Sequence, residues 1–334
     1  MPGVRERGEA IRDFILRNIT EHKNIAALTS EQFGISLPAV YKHIDRLVSE
    51  NQISKKAGRY VLQSKQYKYV YNNDGTLREY AVWEKDIKKH FTNVPQNVWH
   101  IWTYGFLGIF NNAIEHSKGK KIRVVINENR ISTALSIMDD GIGIFNNIKT
   151  HFNLIDEKDA LFELAKGKRT TDNTKHTGQG IFFTSKAFDD FMIVSNGITF
   201  TANPEKNNTS KAGRQTFSTL VYMSLINTSN KILKDVFDAF STEIPGDFDK
   251  TIVPVSLVNS SDLVSRSQAR QILSGLALFK EVILDFKDVE YIGQAFADEI
   301  FRVFPNMNPN TTIQAQNTNA DVNYMIHRAI HTTI

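Results

Sequence analysis

The chain has 334 residues, 41% hydrophobic and 23% charged. This is ordinary globular usage that excludes disorder, collagen-like repeats and fibrous architectures, and the length predicts about two domains, or three small ones. Cysteine is absent, which removes disulfides, thiolate nucleophiles, cysteine zinc sites and iron–sulfur clusters together. Lysine plus arginine number 40 against 36 aspartate plus glutamate, a net charge of +4 that by itself does not demand a nucleic-acid partner. The opening MPGVRERGEAIRDF has no apolar core of signal-peptide type, and no apolar run approaches the ~18 residues of a membrane span, so a cytoplasmic location and no membrane partner are expected.

From Arg5 to Leu62 the pattern reads helix, helix, helix, hairpin. Ile11, Phe14, Ile15 and Ile19 recur at helical spacing. A second helix runs from Asn24 to Phe33 and stops at Gly34. Ser36 reads as the N-cap of a third helix with Pro38 in its first turn, and Leu37, Val40, Tyr41, Ile44, Leu47 and Val48 form its apolar stripe. Lys42, His43 and Arg46 are left on the opposite face. ISKKAGRYVL then predicts two short strands turning at Ala57 and Gly58, with Lys55, Lys56 and Arg59 at the tip. Between Asn51 and Val70 there are five basic residues (these three with Lys65 and Lys68) and no acidic one. This order resembles a winged helix-turn-helix over residues 1–64. The resemblance implies a helix for the major groove and cations for phosphates, with Ser36, Tyr41, Lys42, His43, Arg46, Lys55, Lys56 and Arg59 as the DNA-contacting set.

Residues 65–95 read as a tyrosine-rich connector with a turn at Asn73, Asp74 and Gly75. An α/β domain is expected over 96–227, interrupted late by the polar NPEKNNTSKAGRQ, which reads as a hairpin loop. A second α/β unit occupies 230–334, alternating strand IVPVSL, helix SRSQARQILSGLALF, strand EVILDF, helix GQAFADEIFRVF, strand TIQAQN and helix ADVNYMIHRAI.

Three patches in the middle domain carry chemistry. In the helix around FLGIFNNAIEHS, Trp99, Trp102, Phe106, Ile109, Phe110 and Ala113 define a buried stripe, while Gly105, Gly108, Asn112 and His116 fall on another face. An asparagine there can give its amide oxygen to a magnesium ion bridging phosphates. In SIMDDGIGIF an apolar strand ends at Asp139, followed by Gly141 and Gly143: the carboxylate can accept from a purine amine, and glycines let backbone approach a base. KHTGQGIFFTSKAF sets Gly178 and Gly180 before a helical run, suited to holding phosphate oxygens on backbone amides.

In their joint order these patches resemble the nucleotide site of the GHKL ATPase superfamily, which includes gyrase, heat-shock chaperones and histidine kinases. The resemblance spans about 100 to 225. It implies a Bergerat-type two-layer α/β sandwich binding ATP and Mg2+, with Asn112 on the metal, Asp139 on adenine, Gly141 and Gly143 in the base pocket, and Gly178 and Gly180 at the phosphates. Residues from Asp156 to Thr177, with Lys168 and Arg169, would be the ATP lid, and His116, Lys168 and Thr177 complete the expected nucleotide contacts. In hydrolysing branches a glutamate lies one helical turn before the asparagine as general base. Here that position is Gly108, so slow or absent hydrolysis is expected.

The segment EVILDFKDVEYIGQAFADEIFRVF resembles a STAS-like domain, in which phosphorylated members carry a serine at the helix start. Gly293, Gln294, Ala295 and Phe296 stand there instead. The expected protein is thus a multidomain regulator, with an N-terminal all-α winged helix, a central Bergerat-type sandwich and a C-terminal STAS-like unit, in which Mg-ATP switches the flanking units. DNA and a protein docking on the STAS-like unit are the expected partners, and a homodimer is left open. The alternatives are an ATPase or an anti-sigma-type serine/threonine kinase acting on a separate partner, and a DNA-processing ATPase whose winged helix binds nonspecifically.

Overall fold

Three helices open the chain: α1 (Val4–Asn18), α2 (Ile25–Phe33) and α3 (Leu37–Ser49). The computed structural model describes residues 4–19, 22, 24–157, 159–167, 179–202, 216–257 and 263–331. Asn24 caps α2 by accepting from the Ala27 N–H, and Gly34 ends it in the left-handed region at φ +60°. Ser36 stands at the N-cap of α3 as expected, but its hydroxyl makes no cap bond, and Pro38 at the start of the helix supplies the fixed φ. Of the six stripe residues only Val40, Ile44 and Leu47 are buried, in one cluster with Ile11, Ile15 and Leu16 of α1, each contributing roughly 1.5–3 kcal/mol. Leu37, Tyr41 and Val48 are 46%, 47% and 43% exposed, because the apolar arc is wider than the side that α1 and α2 cover. β1 (Ile53–Lys56) and β2 (Arg59–Leu62) pair antiparallel around Ala57 and Gly58, both at positive φ, as a two-residue hairpin turn requires.

Residues 65–95, expected as a connector, are part of the central layer. β3 (Lys65–Asn72) is the edge strand of a six-stranded sheet and pairs along its full length with β4 (Lys121–Glu128). Its tyrosines alternate: Tyr67, Tyr69 and Tyr71 face the core while Lys68 and Val70 face out. That period of two is a half-buried strand. The helical run that follows, α4 (Glu79–Val82) with a π turn and a 3-10 turn to Phe91, buries Trp83, Ile87 and Phe91. The expected turn forms, with Asp74 Oδ1 accepting from the Thr76 N–H and hydroxyl.

α5 (Gln96–His116) is the long helix beneath the sheet. β5 (Ser132–Asp139), α6 (Ile144–Phe152), α7 (Asp159–Lys166), α8 (Gln179–Ala187), β6 (Asp190–Ser195), β7 (Ile198–Thr201) and β8 (Thr219–Ile226) follow. The antiparallel order is β3-β4-β5-β8-β6-β7. One sheet face is sealed by α5 and α8. Trp99, expected inside, is only half-buried. Gly105, expected on the open face, is buried: a Cβ there would lie 2.4 Å from the Phe188 ring. Residues 203–215, the expected hairpin loop, lie outside the described residues.

The C-terminal unit begins with α9 (Leu233–Asp238) and continues through β9 (Lys250–Pro254), α10 (Arg266–Leu273), β10 (Glu281–Asp285), α11 (Gln294–Asp298), α12 (Phe304–Met307), β11 (Thr312–Gln316) and α13 (Ala320–His331). A π turn over Glu299–Val303 joins α11 to α12. β9, β10 and β11 form a parallel sheet with β10 central. The helix expected through Phe279 stops early, because Gly275 takes φ +77° and starts a 3-10 turn. A Ser265–Gln268 capping box fixes its start.

The two flanking units attach at different places. The N-terminal unit meets the β4–β5 turn, through Arg130 Nε on Asp13 Oδ1 at 3.2 Å and Ile131 packed on its core. The C-terminal unit meets α7 and α8: Phe182 and Phe183 of α8 belong to its core, with Phe182 ring centroids 4.9 Å from Phe240 and 4.7 Å from Phe248. Among the described residues no helix is long and apolar enough to cross a membrane.

Candidate functional site

The strand period of two decides which carboxylate of the DD pair faces inward. Ile137 and Asp139 point to the helix-covered side of β5, so Asp139 is buried (7% exposed) while Asp140 is exposed. Asp140 Oδ1 accepts from the N–H of Lys120 and Lys121 at 2.8 and 2.9 Å, and those bonds, Lys121 first, hold its carboxyl below the usual range. Asp139 is different. Burial pushes its carboxyl up, against the Gly141 N–H at 2.9 Å from Oδ1 and the Thr219 hydroxyl. Thr219 in turn accepts from the Ile144 N–H at 3.1 Å, which fixes the start of α6 over the end of β5.

Asp139 opens onto a cavity of about 550 Å³, a size typical of small-molecule sites. Ile137, Asp139, Thr219 and Val221 form its floor on β5 and β8. Gly108, Asn111, Asn112 and His116 line it from α5, and Ile144, Asn147 and Ile148 from α6. Glu163 and Gly167 with α7, and Gln179, Gly180 and Phe183 with α8, close the far side. α5 can present Gly108 and Asn112 together because they are one turn apart. Nothing lies within 4 Å of a Cβ built at Gly108 or Gly180, so both positions are open towards the cavity. Tyr104, a further turn back, is buried enough to push its hydroxyl up to about 12, and it meets Phe237 edge-on at 5.4 Å.

The expected residues therefore divide. Asn112, His116, Asp139 and Gly180 share the cavity wall. Gly141 and Gly143, expected in a base pocket, are not on that wall. A Cβ on Gly141 would fall 1.9 Å from the Ser117 carbonyl oxygen, and Gly143, at φ +85°, is crowded by Ser195 and Asn196. Gly141 serves the turn that packs β5 against the end of α5, where the Ile142 N–H donates to Ser117 O at 2.8 Å, and Gly143 lets the same turn pack against the β6–β7 turn. Lys168, Thr177 and Gly178 lie outside the described residues. Asn111, Asn147, Thr219 and Gln179 were not anticipated; Glu163 lies within the expected lid from Asp156 to Thr177, of which Asp159–Lys166 is α7 and residues 168–177 lie outside the described residues. Asn147 is legible in hindsight beside Ile144 and Ile148 at helical spacing, whereas Thr219 reaches Asp139 only through a strand register that spans 80 positions. Among the described residues no cluster of three or more histidine or acidic side chains is set to hold a metal. Asn112 is one of several neutral oxygen donors on the wall, with Asn111, Asn147, Gln179 and Thr219, and a magnesium ion beside it would take further ligands from phosphates and water, as that ion prefers.

On the N-terminal unit, Lys42, Arg46, Lys55, Lys56 and Arg59 are exposed, with Arg46 Nε paired to Glu50 at 2.7 Å. Ser36 and Tyr41 are exposed too. His43, expected on the same outer face, turns towards α1. It is partly buried, and that burial, then the charges of Arg12 and Arg46, lower its pKa.

In the C-terminal unit, β10 runs through Asp285 and a loop to Gly293, the N-cap of α11. Residues 268–323, from within α10 to the first turn of α13, match the family described as a STAS-like domain of unknown function (DUF4325). The chain carries a C-terminal STAS-like domain. Among curated proteins none matches the chain. In this STAS-like domain a Cβ at Gly293 would lie 2.8 Å from the Val264 Cα, so the helix start has neither a hydroxyl nor room for one without backbone movement. Its N-terminal neighbours reach the cavity: Phe237 and Gly246, in the segment leading into β9, line it beside Tyr104 and Phe183.

Proposed function

We propose that the cavity binds a purine nucleoside triphosphate with magnesium, in the manner of GHKL ATPases, and that the ligand acts as a switch on the flanking units. The convergence of Asp139, Asn112, Gly108 and Gly180 on one cavity carries this reading. Asp139 would accept from the purine amine at the floor, Asn112 would face the metal, and Gly180 on α8 leaves backbone space for phosphates. The antiparallel sheet with α5 and α8 on one face supports a Bergerat-type sandwich. Titration calorimetry of the full chain with Mg-ATP tests it: a saturable one-site heat is expected, and none with any adenine nucleotide overturns it.

Gly108 gives the site a binding role ahead of a hydrolytic one, because no carboxylate stands one turn before Asn112 to take a proton from water. The open space at Gly108 accommodates a longer side chain. Gly108→Glu is therefore expected to raise phosphate release by at least tenfold with nucleotide binding retained. Unchanged release from a variant that still binds would sink this assignment of roles.

The exposed cations of the hairpin tip and of α3 support duplex DNA as the partner of the N-terminal unit, in the winged-helix manner. Each phosphate contact contributes about 0.9 to the slope of log affinity against log salt. The triple variant Lys55→Ala, Lys56→Ala, Arg59→Ala should flatten that slope by about 3, read by fluorescence anisotropy over a salt series; an unaltered slope would remove the hairpin from the interface.

A further inference from the structure

We infer that the buried pair Glu163–Lys166 couples occupancy of the cavity to the STAS-like domain. The inference rests on the reading of the cavity as a nucleotide site and names its output. Glu163 stands on the cavity wall and is 5% exposed. Lys166, one turn further along α7, is 2% exposed, and its Nζ donates to Glu163 Oε1 at 3.0 Å. The same ammonium donates to Gln271 O at 3.2 Å and Ser274 O at 2.8 Å. Those carbonyls belong to the last turn and cap of α10, where a helix leaves acceptors unfilled and favours a cation. Lys166 thus joins the cavity wall to a helix end of the STAS-like domain.

Other contacts fasten α7 along its length. The Thr251 hydroxyl of β9 donates to the Lys166 carbonyl at 3.0 Å, and the Gln271 side-chain amide donates to Asp159 at the start of α7. Gly167, at φ +89°, lies so close to Phe182 that a Cβ would fall 2.4 Å from its ring, and Phe182 packs on Phe240 and Phe248. α7 cannot shift alone. A polyphosphate entering beside Glu163 repels its carboxylate and attracts Lys166, and the low dielectric of a buried site strengthens both effects. The ligand then competes for the ammonium with its present anchors, Glu163 and the α10 carbonyls. Nucleotide draws Lys166 off α10 and loosens the end of that helix, and by linkage whatever clamps α10 weakens nucleotide binding by the same factor.

Hydrogen exchange on the full chain, with and without saturating Mg-ATP, tests this beside calorimetry under the same conditions. Exchange in the segment from Gln271 to Leu278 should rise at least threefold with nucleotide in the wild type. It should be unresponsive in the double variant Glu163→Gln, Lys166→Met, which removes both charges of the pair together. Nucleotide heat with no exchange change in the wild type overturns the inference while the cavity reading stands. An equal rise in the double variant overturns it too. Absence of heat removes the cavity reading, and this inference with it. If the double variant does not fold, the conservative Lys166→Arg, which keeps the charge but alters its reach, must shift the size of the response; an identical response counts against the coupling.

Discussion

Asp139→Asn is expected to lower affinity for adenine nucleotides about 10- to 100-fold, the loss of one hydrogen bond to a charged acceptor at ~1.5–3 kcal/mol, and to raise the thermal midpoint of the ligand-free protein. The two effects have one origin. Burial raises the Asp139 carboxyl above its unfolded value, so the folded chain holds this proton at pH values where the unfolded chain has released it. Stability from this group is therefore present at low pH and is lost as pH rises from the unfolded to the folded titration point. At neutral pH the buried carboxylate is a cost that asparagine removes, while the amide oxygen still accepts from Gly141. Nucleotide affinity should run the other way, falling as the pH drops through the raised titration point. Calorimetry and thermal scans of both proteins down a pH series measure both. A variant that binds ATP as tightly as the wild type would take the purine contact away from Asp139.

Lys166→Met should destabilise the fold by about 3–5 kcal/mol, because it removes the ammonium that pairs with the buried Glu163 carboxylate. It also strips Gln271 and Ser274 of a shared donor. Adding Glu163→Gln should recover most of the loss, since a buried pair replaced by neutral groups of similar volume is often close to neutral in stability. Differential scanning calorimetry of the single and double variants reads this directly. Equal transitions for the two would mean that the pair is not a coupled unit.

The attachment of the flanking units gives the proposed switch a direction. Phe237, Gly246 and the Lys166 anchor bring the STAS-like side to the cavity itself. The N-terminal unit sits at the β4–β5 turn, the opposite end of β5 from Asp139, a strand length of roughly 25 Å away. The STAS-like side is therefore expected to respond to nucleotide more strongly than the N-terminal unit.

Where the sequence misled, the cause was one-dimensional. Alternation along Lys65–Asn72 marks a strand, but tyrosine density alone reads as a linker, and only pairing with β4 makes it part of the core. The stripe on α3 could be drawn from spacing, yet which half is buried depends on the reach of α1 and α2. Gly105 and Gly108 sit three residues apart on the same helix; Phe188 fills the space at one and the cavity opens at the other, a distinction that no spacing contains.

By itself the sequence determined the local events: the starts of α2 at Asn24 and of α10 at Ser265, the turns at Gly34 and at Ala57 and Gly58, the strand ending on Asp139, and the pattern of the STAS-like domain. These depend on a residue and its near neighbours, through backbone freedom, capping and period. Only the tertiary structure decided that Asp139 is backed by Thr219, that Gly141 and Gly143 serve a turn rather than a wall, and that Lys166 of the central domain closes a helix of its neighbour. Those outcomes follow from strand register and packing between segments far apart in the chain, where burial and pairing set the chemistry of a side chain.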